Sequence, residues 1–242
     1  VRLLIANKAD VNAENRYGNT ALISAARNGH TKAVKLLIQN NADINAKNQS
    51  GRTALIDAAE SGHTEAAQLL IQNNTDVNAE NNEVKTALIS AARNGHTEIV
   101  RLLIDNQAAA NAKNYSGVTA LIDAARNGHT EIVRLLIDNQ AAANAKNYSG
   151  VTALISAAAN GHIEIVKLLI DNQADVNAEG NDGRTALIDA AANGHTEIVR
   201  LLIDNQADVN TKNQYNRTAL ISAVLNGHTE IVQALKEAGA KE

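Results

Sequence analysis

Two apolar blocks alternate along this chain. One is short, with Leu121, Ile122, Ala124 and Ala125 as its members; the other is denser, with Ile132, Val133, Leu135, Leu136 and Ile137 in close succession. The first block predicts a short helix over 120–126, with Thr119 as its N-cap, because a hydroxyl there accepts a hydrogen bond from a backbone N–H of the first turn. Asn127 and Gly128 end it, since both tolerate the left-handed backbone of a helix C-terminus. The second block predicts a helix over about 130–139 that needs cover on several sides, too apolar for a single narrow stripe. Glu131 suits the positive end of its dipole, and Arg134 and Asp138 are spaced for an i,i+4 pair. The polar stretch AAANAKNYSG that follows has no helical period and reads as an extended loop or hairpin.

The same three-part unit recurs through the chain. Residues 94–126 and 127–159 differ only at Asp123 against Ser156 and at Arg126 against Ala159. Thr20, Thr53, Thr86, Thr119, Thr152, Thr185 and Thr218 form one column of the period. His30, His63, His96, His129, His162, His195 and His228 form another, which accounts for every histidine. Asn12, Asn45, Asn78, Asn111, Asn144, Asn177 and Asn210 form a third. No single unit can bury both helical faces, so the period predicts one continuous all-α solenoid of stacked helix-turn-helix units with protruding loops or β-hairpins. Its repeats are expected at 18–50, 51–83, 84–116, 117–149, 150–182 and 183–215, after a truncated repeat at 1–17 and before a polar capping repeat at 216–242.

The chain opens on VRLLIA, which matches the second helix of a unit. The expectation is an apolar flank left bare, with upstream residues cut away or disordered, and with end-to-end association through the uncapped N-terminal repeat left open.

At these residues the chain resembles the ankyrin-repeat proteins over essentially its whole length. TALI, AA, NGH, TEIV and ADVN stand where that family has its Thr-Pro-Leu-His start, paired alanines, Gly-His turn, Glu-Ile-Val helix and Ala-Asp-Val-Asn loop. The departures are regular. The family's Pro is Ala at Ala120 and its equivalents, and the His after Leu is Ile at Ile23 and its equivalents. The glycine after the second helix is replaced at Asn41, Asn74, Gln107, Gln140, Gln173 and Gln206. Those helix ends are expected to be slightly strained, unless a neighbouring Asn takes the left-handed position. In two central loops the aspartate becomes Ala109 and Ala142, which predicts that the array opens first there.

Charge and composition narrow the function. The net charge is -4, with both signs interspersed, so no broad positive field marks a nucleic-acid binder. No apolar run is long enough to insert into a membrane, which together with the absence of a signal peptide sequence leads to a cytoplasmic expectation. Cysteine is absent, excluding disulfides, thiolate metal sites and a cysteine nucleophile. Equivalent histidines of stacked helix pairs lie roughly 8–10 Å apart, too far to share a zinc ion that needs donors at about 2 Å. They are read as turn histidines bonded to nearby backbone. Asp57, Asp123 and Asp189 alternate in one column with Ser24, Ser90, Ser156 and Ser222, but no base is close to the serines by spacing. No catalytic residue, cofactor or metal is expected.

The tyrosines carry more. Tyr17, Tyr115, Tyr148 and Tyr215 all precede the residue that opens a unit, at the loop tip, where an amphipathic ring serves binding or packs on the neighbouring loop. The resemblance implies a non-catalytic scaffold that binds another protein on a concave surface of loop tips and first helices. On this chain that surface maps to Tyr17, Asn19, Arg27, Arg52, Glu60, Lys85, Arg93, Tyr115, Val118, Arg126, Tyr148, Val151, Arg184, Tyr215, Arg217 and Leu225. Two other readings stay open: an engineered or consensus-like scaffold with no natural partner, favoured by the small alphabet and the near-identical units, and an ankyrin fragment of a larger enzyme or effector.

Overall fold

The computed structural model describes residues 1–241, with Leu4 described in its backbone alone. Glu242, the last residue of the expected capping repeat, lies outside the described residues. Two compact units are formed, Val1–Tyr115 and Ser116–Glu242. The first contains α1 (Arg2–Ala6), α2 (Ala21–Arg27), α3 (Thr31–Gln39), α4 (Ala54–Ser61), α5 (Thr64–Gln72), α6 (Ala87–Asn94) and α7 (Thr97–Asp105). The second contains α8 (Ala120–Arg126), α9 (Thr130–Asp138), α10 (Ala153–Ala159), α11 (Ile163–Asp171), α12 (Ala186–Asn193), α13 (Thr196–Asp204), α14 (Ala219–Leu225) and α15 (Thr229–Glu237).

Each helix pair is built by the local signals of the repeat. The threonine column caps every first helix: in α8 the Thr119 hydroxyl accepts the Ile122 N–H at 3.3 Å. Gly128 then reverses the chain at φ 78° and the second helix follows directly. First helices pack on first helices, α2 on α4 on α6 and α8 on α10 on α12 on α14, while the second helices form the adjoining layer. Small residues make that close approach feasible. Ala58, Ala59, Ala91 and Ala92 are wholly buried in one unit, as are Ala157, Ala158, Ala190 and Ala191 in the other. Arg134 and Asp138 are both exposed and form no ion pair, so the expected support on α9 is not made. An exposed pair of that kind is worth only a few tenths of a kcal/mol, about the entropy of holding two long side chains.

The loops are hairpin-like turns, with no strand among the described residues. In one of them the Asn48 N–H donates to Arg52 O at 3.1 Å and the Gly51 N–H to Asn48 O at 2.8 Å. Neighbouring tips are then joined backbone to backbone: the Gln49 N–H donates to Tyr17 O at 3.1 Å, Tyr115 to Glu83 at 3.0 Å, and Tyr148 to Ser116 at 3.0 Å.

The helix ends lacking glycine take the strained option. Asn41, Asn74, Gln107, Gln140, Gln173 and Gln206 all have φ between 62° and 65°, whereas the preceding Asn40 and Asn73 stay at negative φ. Those preceding asparagines instead bond the last turn, Asn40 Nδ2 donating to Leu36 O at 2.8 Å. At the loop tips the left-handed residue is Gly18, Gly51, Gly117, Gly150 or Gly183, but in two repeats it is Val84 or Asn216, each at φ 56°. A β-branched residue is an outlier there.

The expected polar cap is mixed. Lys236 and Glu237 are exposed on α15, but Val224 and Leu225 of α14 are exposed as well, beside a cleft of about 350 Å3 lined also by Leu220 and Ile221. Val224 stands where Ala125, Ala158 and Ala191 are fully covered by the following repeat.

The strain at Val84 is measurable. Val84→Gly is expected to raise stability by about 1 kcal/mol, because removing Cβ relieves the left-handed penalty by more than the added unfolded-state freedom subtracts. The reverse change, Gly51→Val, is expected to destabilise, since a Cβ there would lie 2.8 Å from the Asn82 backbone N. Urea midpoints of the two variants check both signs.

Candidate functional site

Residues that link repeats must first be separated from residues available to a partner. The histidine column belongs to the former. His63 Nε2 lies 3.0 Å from Arg27 O, His162 3.1 Å from Arg126 O, His195 3.2 Å from Ala159 O and His228 3.1 Å from Ala192 O. A carbonyl only accepts, so Nε2 carries the proton in each. Each ring also covers the turn glycine of the preceding repeat: a Cβ on Gly161 would fall 2.8 Å from His195 Cε1. The expected turn histidines are therefore bonded to backbone, but to backbone 36 residues earlier rather than within their own turn. Among the described residues no group of three or more His, Cys, Asp or Glu side chains could hold a metal ion.

The asparagine column does the equivalent work in the loops. Asn45 Oδ1 accepts the Asp76 N–H at 2.9 Å, Asn144 that of Asp175 at 2.7 Å, and Asn177 that of Asp208 at 2.8 Å. In the loops that carry an aspartate it closes its own turn, Asp175 Oδ1 accepting the Asn177 N–H at 2.9 Å. Ala109 cannot provide that bond, although its own N–H is still held by Asn78 Oδ1 at 2.8 Å.

Exposed side chains are found at the loop tips and on the outward side of the first helices, as well as on the second helices. Tyr17, Tyr115, Tyr148 and Tyr215 are all more than half exposed. Two also touch neighbours, since Arg16 lies 4.6 Å over the Tyr17 ring and a Cβ on Gly117 would meet Tyr148 Cδ1 at 2.7 Å. Arg27, Arg93, Arg126, Arg184, Arg217 and Leu225 are exposed, and Arg52, Glu60, Asn19 and Val151 are half-buried. Lys85 and Val118 depart from the expected surface. They are 5% and 6% exposed, although Arg184 and Arg217, at the same position before the threonine cap, are exposed.

The column of alternating Ser and Asp lies under this face, and its surroundings differ from repeat to repeat. Asp57 is fully buried on α4 and doubly paired: Arg27 Nη2 reaches its Oδ2 at 2.7 Å from the end of α2, and Arg52 bonds its Oδ1. Arg52 also bonds Glu60, which has Lys85 Nζ at 3.5 Å. Burial on its own disfavours these charges, yet Asp57 and Glu60 together hold Arg52 above its usual pKa, and Arg52 with Lys85 holds Glu60 below the usual carboxylate range. Asp123 accepts from Arg126 Nη1 of its own helix at 3.1 Å. Asp189, 6% exposed on α12, has Arg184 Nη1 at 3.5 Å from Oδ1, while Arg184 Nε sits closer to Asp182, at 2.9 Å. Burial, only partly offset by Arg184 and reinforced by Asp182, pushes Asp189 up to about 6.

The chain matches the family model described as ankyrin repeats (3 copies), in overlapping placements at residues 1–81, 73–147, 110–180, 141–213 and 178–242. The chain belongs to the ankyrin-repeat family. A search of the curated proteins gave no match. Ankyrin repeats generally serve protein–protein interaction and are typically non-catalytic, and among the described residues no helix of this ankyrin array is long and apolar enough to cross a membrane.

The contrast within the aspartate column yields a pH prediction. The folded Asp189 keeps its proton up to about pH 6, whereas an ordinary Asp loses it near 3.8, so ionisation opposes folding between those values. The site's contribution is intact below about pH 4 and is lost as pH rises through 6, a difference of about 3 kcal/mol. Asp189→Asn is therefore expected to raise the melting temperature at pH 7 and to leave it nearly unchanged at pH 4. Asp57→Asn is expected to lower it at pH 7, by about 3 kcal/mol in stability, because two guanidinium groups lose their shared acceptor. Thermal melts across pH 4–8 check the opposite signs.

Proposed function

We propose that this ankyrin array is a non-catalytic scaffold that binds another protein on its loop-tip and first-helix face. The observation that carries the reading is the division of labour in the repeat. His, Asn, Thr and the paired Ala are spent on linking and capping, while the tyrosines at four tips and the arginines at the ends of the first helices are exposed and vary between repeats. Tyr and Arg are the residues most enriched at binding hot spots, because they combine area, rigidity and directional hydrogen bonding.

The face has two characters. In Val1–Tyr115 it is ionic, with Arg27, Arg52 and Glu60 interlinked over Asp57. In Ser116–Glu242 it is more apolar, with Val151 and Leu225 accompanying Tyr148 and Tyr215. A partner with one polar and one more apolar contact region fits this distribution. The proposed contact set is Tyr17, Asn19, Arg27, Arg52, Glu60, Arg93, Tyr115, Arg126, Tyr148, Val151, Arg184, Tyr215, Arg217 and Leu225.

The test is affinity capture from lysate of the source cells with three baits: the parent, a variant with Tyr17, Tyr115, Tyr148 and Tyr215 changed to Ser, and a control carrying Arg134→Glu and Lys167→Glu on second helices. The expected result is a protein captured by parent and control and lost with the tyrosine variant, while all three keep the same helical signal and melting temperature within about 2 °C. Equal capture by parent and tyrosine variant, with loss in the control, would move the binding face to the second-helix layer.

A further inference from the structure

The side chain thirty residues before the aspartate distinguishes Asp57 from Asp189. In one unit Arg27, at the end of α2, takes Oδ2 of Asp57, with Nη2 at 2.7 Å and Nε at 2.8 Å, while Arg52 takes Oδ1. In the other unit the residue equivalent to Arg27 is Ala159, at the end of α10, and the one equivalent to Arg52 is Arg184. Asp189 therefore has Arg184 at 3.5 Å from Oδ1, and among the described residues its Oδ2 has no cationic partner. Nor is Arg184 wholly committed to it, being drawn at 2.9 Å to Asp182.

Two buried hydroxyls of the same column have no hydrogen-bond partner, Ser90 in one unit and Ser156 in the other. Ser156, on α10 and one repeat before Asp189 in the column, is 4% exposed, and its Oγ has no hydrogen-bond partner. A buried hydroxyl without a partner incurs its full desolvation penalty. Beside these residues the tips form a cleft of about 330 Å3 lined by Tyr148, Val151, Asp182 and Arg184, among others. It offers the Tyr148 ring and the Val151 side chain, with Asp182 as its acidic acceptor; Asp189, paired to the lining residue Arg184, is not itself in the lining.

We propose that this part of the face is an arginine-accepting site. A partner's arginine enters over Ala159 and its guanidinium donates to Asp189 Oδ2, completing in trans the arrangement that Arg27 and Arg52 make in cis around Asp57. The stem of that arginine lies along Tyr148 and Val151. Arginine fits better than lysine because a planar fork can satisfy the carboxylate oxygen and stack on the tyrosine ring at once. The groups around Asp189 set the sign of the pH dependence. Arg184 and Asp182 precede it on its own repeat, α10 contributes Ser156 and Ala159, and α14 contributes Ser222, none of the last three titratable. A cation on Oδ2 binds the ionised carboxylate, so affinity falls as pH drops through the range in which Asp189 takes up its proton.

This inference rests on the reading of the face as a protein-binding surface, and the experiment separates the two. Twelve-residue random peptides displayed on phage are selected against the full chain. Binders are measured against the parent, Asp189→Asn, Ala159→Arg, and a double variant Tyr148→Ser with Val151→Asp. The expected binders lose affinity roughly tenfold or more with the double variant, with Asp189→Asn, and with Ala159→Arg, whose own guanidinium takes Oδ2. They carry an arginine whose replacement by alanine gives a similar loss, and they weaken between pH 7 and pH 5. Melting temperatures of Asp189→Asn and Ala159→Arg at or above the parent's exclude loss of fold as the cause. Peptides that need Tyr148 and Val151 but bind Asp189→Asn and Ala159→Arg as well as the parent overturn the arginine site and leave the face standing. A selection that yields only peptides indifferent to all three variants, or none, overturns both.

Discussion

One side-chain amide per repeat holds the loops of each unit in step. The Oδ1 of Asn12, Asn45, Asn78, Asn144, Asn177 and Asn210 accepts a backbone N–H from 31 residues ahead, at 2.7–2.9 Å. On the helical side the histidine column runs the other way, reaching a carbonyl at the end of the preceding first helix. These links are directional, whereas the buried alanines that let first helices approach are not. Apolar burial supplies the attraction, and the amide and imidazole bonds select one register among the many that a smooth apolar face would tolerate. Because linkage consumes the same few positions in every repeat, the tips and the outward helix positions are left to variation, and that is where the chain differs from one repeat to the next.

The aspartate column shows how such a regular frame produces unlike sites. Asp57 and Asp189 stand at the same position of the repeat, both buried, yet one carboxylate is held by two guanidinium groups and the other shares one with Asp182. The difference originates in a neighbouring repeat, where Arg27 in one case corresponds to Ala159 in the other. A single substitution on the face thus reaches the buried layer below it. An array that keeps its linking residues constant can change surface charge, proton affinity and partner preference without changing its stacking.

Much of the fold was legible because the repeat restates each local rule many times. Thr119 as a cap, Gly128 as a turn, and the left-handed Gln140 and its equivalents all follow from short-range stereochemistry read along a column. The partners of His195 and Asn177 were not legible, since they depend on which atoms of the adjacent repeat come within reach, and spacing in sequence does not state that distance. The same limit explains Lys85 and Val118. Both were assigned to the open face from their position beside the tip, yet both are buried, whereas Arg184 and Arg217 at the same repeat position are exposed. The exposed tyrosines were legible as tip residues; the contact of Tyr148 with Gly117 was not, because it is made between loops.

Amide hydrogen exchange in Asn177→Ala measures the asparagine link most directly. The Asp208 amide, 2.8 Å from Asn177 Oδ1 in the parent, is predicted to exchange at least about tenfold faster in the variant, while the Asp175 amide, still held by Asn144 at 2.7 Å, keeps its protection. Global stability should fall by about 1–2 kcal/mol. An Asp208 amide as slow in the variant as in the parent, with stability unchanged, would mean that apolar stacking alone sets the register and that the polar columns are incidental to it.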